Sequence, residues 1–90
     1  MHTIYKYPIY IIDEQEISMP RGAHIFSFAL QRGTPCVWAI VDPTEPVLEP
    51  KTLYLRGTGH ELQFEPCSLR FIGTVLLNDG ALVFHLFVPA

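Results

Sequence analysis

A chain of 90 residues makes one domain, 1–90, with room for a single core. Its formal net charge of −3, with six Lys and Arg spread singly along it, excludes the basic footprint of a protein that wraps a nucleic-acid polymer. No apolar stretch approaches the ~20 residues of a membrane span and the first residues lack the apolar core of a signal peptide, so the expected location is the cytosol, with no membrane partner.

In chain order the elements read as short strands separated by turn residues, with no helical period of useful length. Thr3 to Tyr7 alternates β-branched and aromatic side chains and meets Pro8, whose missing N–H suits a sheet edge. Tyr10 to Ile12 continues extended, Asp13-Glu14 turns the chain, and Glu16 to Met19 predicts a short strand stopped by Pro20. After the Arg21-Gly22 turn, Ala23 to Gln31 predicts a strand with His24, Phe26, Phe28 and Leu30 on one face and Ile25, Ser27, Ala29 and Gln31 on the other. Arg32-Gly33-Thr34-Pro35 closes a hairpin loop, and Cys36 to Val41 returns with Cys36, Trp38 and Ile40 on one side. This pair is expected at the centre of its sheet. Asp42-Pro43 ends it, and Thr44 to Pro50, rich in proline and glutamate, reads as the longest surface loop.

Lys51 to Arg56 predicts a strand that sets Leu53 and Leu55 against Thr52, Tyr54 and Arg56. RGTGH interrupts it, and Glu61 to Phe64 reads as a brief continuation before Pro66. The last hairpin joins Leu69 to Leu77 and Ala81 to Val88 through a three-residue loop, Asn78-Asp79-Gly80. The sum is an all-β fold: a compact antiparallel sandwich or partly open barrel of six or seven short strands. With 49% hydrophobic residues, the chain carries more apolar surface than a small interior hides. Both strands of the last hairpin are bulky on both faces, so a second copy is expected to cover one of them, which makes a homo-oligomer the expected assembly.

Chemistry concentrates in RGTGH. Gly57 and Gly59 allow backbone N–H groups to approach an anion, Arg56 adds a planar charged fork, Thr58 a hydroxyl and His60 an imidazole. The pattern is neither GxxxxGK[ST] nor a GxGxxG opening a helix, and in a β context the same glycines also make a plain bend. Tyr54 shares a strand face with Arg56 and is the candidate to stack a base, while Arg21 and Lys51 are the cations to look for beside the loop. His2, His24, His60 and His85 lack paired metal-ligand spacing, and only strand packing would unite His24 with His85; no metal or other cofactor is expected. Cys36 lies in an apolar strand and Cys67 in a loop, without CxxC, so both read as free thiols and no catalytic residue is assigned.

Several phrases together, TIYKYPI, EISMPRGAHIFSF, PCVWAIVDP, YLRGTGHEL, RFIGTV and ALVFHLFV, resemble a family of small uncharacterised proteins encoded by tailed phages and prophages, known as a domain of unknown function. The resemblance spans nearly the whole chain and implies a phage setting in a host cytoplasm, without catalytic residues to carry over. In that setting the expected function is a non-enzymatic binding module, which sequesters a small anionic, nucleotide-type signal or blocks a host protein. A virion structural or assembly role is the alternative, and a small hydrolase acting through His60 and Glu61 a third reading.

Overall fold

The computed structural model describes residues 1–90 as seven strands and one short 3-10 turn. They are β1 (Thr3–Pro8), β2 (Glu14–Pro20), β3 (His24–Gln31), β4 (Thr34–Val41), β5 (Leu48–Gly57), β6 (Leu69–Leu77) and β7 (Leu82–Pro89), with the 3-10 turn at Pro66–Ser68. Two antiparallel sheets result, β1-β4-β3 and β2-β5-β7-β6, and they pack as a sandwich that is not a closed barrel. The expected fold class therefore holds, and Pro8 does end an edge strand. The β3–β4 hairpin is not central as a pair: β4 is the middle strand and β3 an edge.

Between the sheets lies one core, built from alternate residues of the strands as the pleat requires. Val37, Ala39 and Val41 of β4 face Leu53 and Leu55 of β5, Val75 of β6, Leu86 and Val88 of β7, and Met19 of β2. Each of the Val, Leu and Met side chains withdrawn from water contributes about 1.5–3 kcal/mol before its ordering cost. Ile9 enters the same core while the chain crosses from the first sheet to the second. That crossing is pinned by Gln15, whose amide accepts from Tyr10 N–H (3.1 Å) and donates to Tyr10 O (2.7 Å).

Several local expectations are corrected. In β3 the register shifts between Ile25 and Ser27, so Phe26 is an extra residue opposite Trp38. A bulge of this kind resets the alternation. Ile25 and Phe28 consequently both face the core, whereas strict period 2 sets them on opposite sides. The hairpin loops also differ. Gln31 pairs directly with Thr34, leaving a two-residue Arg32-Gly33 turn with φ 50° and 80°. Leu77 pairs with Leu82, so the last loop has four residues, and Asn78 (φ 51°), Asp79 (φ 53°) and Gly80 (φ 88°) are all left-handed. Glu61 to Phe64 forms no strand, while residues 48–50 belong to β5 and not to a loop.

The β5–β7 pairing runs only from Tyr54↔Phe87 to Gly57↔Phe84. Continued in the same register, Thr52 would stand opposite Pro89, which has no N–H to donate to a further rung. The two strands part there. Along the other side of the sandwich, Gly73 of β6 lies against the backbone of Phe28 in β3: a Cβ built on Gly73 would sit 3.0 Å from Phe28 O.

Candidate functional site

The RGTGH segment is a tight turn at the end of β5. Gly59 has φ 88°, the sign that a type II turn requires at its third position, and His60 N–H donates to Gly57 O at 3.0 Å. Gly57 N–H donates to His60 Nδ1 (3.1 Å) and Thr58 N–H to Val83 O (3.1 Å). These donors therefore face their own chain, and the bond to Nδ1 requires the neutral imidazole with its proton on Nε2. The His60 ring folds back so closely that a Cβ on Gly57 would fall 2.7 Å from its Cε1. A shallow hollow of about 140 Å³ remains beside the turn, lined by Gly57, Thr58, His60 and residues of the β6–β7 hairpin.

Around it the other candidates are also engaged internally. Arg56 donates to the carbonyls of Asp13 (2.6 Å) and Leu55 (3.0 Å), and its guanidinium lies 5.5 Å from the Phe64 ring centroid. Phe64 packs on Tyr54 as well, centroids 4.6 Å apart, so the stacking partner of Tyr54 is this chain's own aromatic. Thr58 Oγ1 lies 2.7 Å from His85 Nε2, and Thr74 Oγ1 lies 2.9 Å from His85 Nδ1. An imidazole held between two hydroxyls, each able to donate or accept, serves as a cross-strand clasp over β5, β7 and β6.

Arg21 and Lys51 are not beside this turn. Lys51 is six residues back along β5, about 20 Å at the rise of a strand. It binds Glu49 at 2.8 Å, and Arg21 binds Glu45 at 3.2 Å. The Lys51 ammonium, and then the Gly22 N–H, hold the Glu49 carboxyl below its ordinary value. Lys51 instead lines the cleft of about 320 Å³ that opens where β5 and β7 part, together with Arg70, which donates to Ile25 O at 2.9 Å. His24 and His85 belong to different sheets, each on the face turned away from the core, and no three His, Cys, Asp or Glu side chains gather at metal-ligating distance.

Sequence reading missed the outer face of the three-stranded sheet. Registers place Ile4, Ile40 and His24 in one row, then Lys6, Trp38 and the Phe26–Ser27 bulge, then Pro8, Cys36 and Ala29. No other segment covers it, and Ile4 is 56%, Phe26 41% and Ile40 37% exposed. The Cys36-Trp38-Ile40 alternation was the one available signal; the neighbours that complete the patch come from β1 and from the bulge. On the four-stranded sheet, Phe71 and Leu76 are exposed likewise, with Phe71 edge-on to Phe87 at 5.7 Å.

Fold and surface together define a small seven-stranded antiparallel sandwich with a glycine turn folded back on its own chain and an uncovered apolar sheet face. The chain belongs to the family described as "Domain of unknown function (DUF7352)", whose model matches residues 1–90. No curated protein and no solved structure matches the chain.

Proposed function

We propose that this chain is a non-enzymatic binding module of phage or prophage origin, which self-associates and blocks a host protein in the host cytoplasm. The observation that carries the reading is the outer face of the three-stranded sheet. Ile4, Phe26 and Ile40 stand exposed around Trp38 there, on a molecule whose Cα trace measures 41 × 32 × 16 Å. So thin a slab offers a broad face for its mass, and a stable interface needs about 800 Å² per partner. Apolar patches rimmed by polar groups mark association sites. The phage setting is supported by the sequence phrases, and the non-enzymatic character by a glycine turn whose histidine and arginine are bound within their own chain.

Sedimentation velocity tests the reading. The wild-type chain should sediment above the monomer, and an Ile4→Thr/Ile40→Thr double variant, which keeps β-branched residues on both strands, should sediment as a monomer with an unchanged far-UV spectrum. A wild-type chain that stays monomeric at its highest soluble concentration sinks the self-association. A virion role draws on the same apolar face; presence of the protein in purified particles would favour it over the host-directed reading.

A further inference from the structure

Of the six basic side chains, four are occupied within the chain. Arg21 and Lys51 bind glutamates, while Arg56 and Arg70 donate to backbone carbonyls. Lys6 and Arg32 are the two that remain. Lys6 Nζ donates only to the neutral amide oxygen of Gln31, reaching from β1 across β4 to β3. Arg32 makes no hydrogen bond or ion pair at all, at the tip of the β3–β4 turn.

Both line one cleft of about 500 Å³, whose other walls are Pro8, Gln31, Thr34 and Cys36. No carboxylate lines it, in a chain of net charge −3. With its Oε1 taken by Lys6, the Gln31 amide retains two free N–H donors, and the Thr34 hydroxyl has no partner; Cys36 Sγ, on the floor, is turned to Thr34 O (3.5 Å). The cleft thus offers an ammonium, a guanidinium fork, an amide and a hydroxyl. A phosphoryl group takes that set: the fork engages two oxygens and the ammonium a third. The volume falls in the range of small-molecule sites, roughly 300–1,000 Å³, and exceeds what a bare phosphate fills.

We infer that the Lys6–Arg32 cleft is a binding site for a phosphate-bearing small molecule. The cleft opens on the same outer face, with Lys6 in the row beside Ile4–Ile40 and Cys36 one row further. The titration is therefore run on the Ile4→Thr/Ile40→Thr variant as well as on the wild-type chain, which separates failure of this site from failure of the self-association.

The test is an amide-resolved NMR titration of the full chain with inorganic phosphate, pyrophosphate and a nucleoside 5′-monophosphate, with chloride matched for ionic strength. Saturable shifts at Gln31, Arg32, Gly33 and Thr34 are expected. Lys6→Met and Arg32→Gly should each weaken affinity roughly tenfold, as loss of a charge-assisted bond predicts. Arg32→Gly accommodates the positive φ and so tests binding in a folded protein. Tighter binding of the monophosphate than of phosphate identifies a phosphorylated organic ligand, and preference for pyrophosphate a free polyphosphate; either supports the site. Shifts that chloride reproduces, or that survive in the Lys6→Met/Arg32→Gly double variant, overturn it.

Discussion

Arg32 holds φ 50° in a two-residue hairpin turn, a position that favours Asn, Asp or Gly because a β-carbon crowds the following carbonyl. Arg32→Asn should therefore raise stability by about 0.5–1 kcal/mol in a urea melt, while a drop would mean that the guanidinium contributes contacts absent from this structure. Two carboxyls work in the other direction. Asp42 accepts from the Thr44 hydroxyl (2.6 Å) and amide (2.9 Å), and these bonds hold it below its ordinary value, as Lys51 and Gly22 do for Glu49. With both groups depressed in the folded chain, their contribution is complete above the unfolded carboxylate range, near pH 4, and is lost as pH falls through the lower folded values. Replacing them by Asn and Gln should flatten the acid limb of stability against pH. An unchanged limb would remove the assignment.

At the scale of elements, the sheet edges are shaped by residues that cannot do what their neighbours do. Pro89 offers no N–H to continue the β5–β7 ladder, and the Lys51–Arg70 cleft opens beside it. Gly73 allows β6 to settle on β3, and Gly73→Ala would bring a Cβ to 3.0 Å from Phe28 O and 3.2 Å from Phe28 Cβ. Because the first of these is backbone, the strand must move; a loss of about 1–3 kcal/mol is expected from denaturant unfolding, and a neutral result would show that β6 does not press on β3 as described. Strand identity was legible in sequence wherever apolar residues clustered between turn signals, as at Cys36–Val41 and the last hairpin. Strand faces were not legible past a bulge: Phe26 looks like one more alternating residue until its register against Trp38 is known.

At the scale of the molecule, two sheets enclose one core and leave their outer faces to solvent or to partners. The self-association proposed above is of apolar origin, so it should survive added salt, whereas binding at the Lys6–Arg32 cleft should weaken as ionic strength rises. Of the site first suspected, the glycine bend was readable, since positive φ is written into Gly59. Its chemistry was not: whether Arg56 meets an anion or the Asp13 carbonyl depends on where a turn more than forty residues away is brought by β2 pairing with β5.

Alternation, turn residues and composition determine on their own that this chain is all-β, because they express local backbone preference and the need to bury every second side chain. Only the tertiary structure decides which polar groups are spent and which are free. Long-range pairing assigns the partners that engage Arg56 and Thr58 within the chain, and it leaves Lys6 and Arg32, distant in sequence and joined across β4, without a counter-charge.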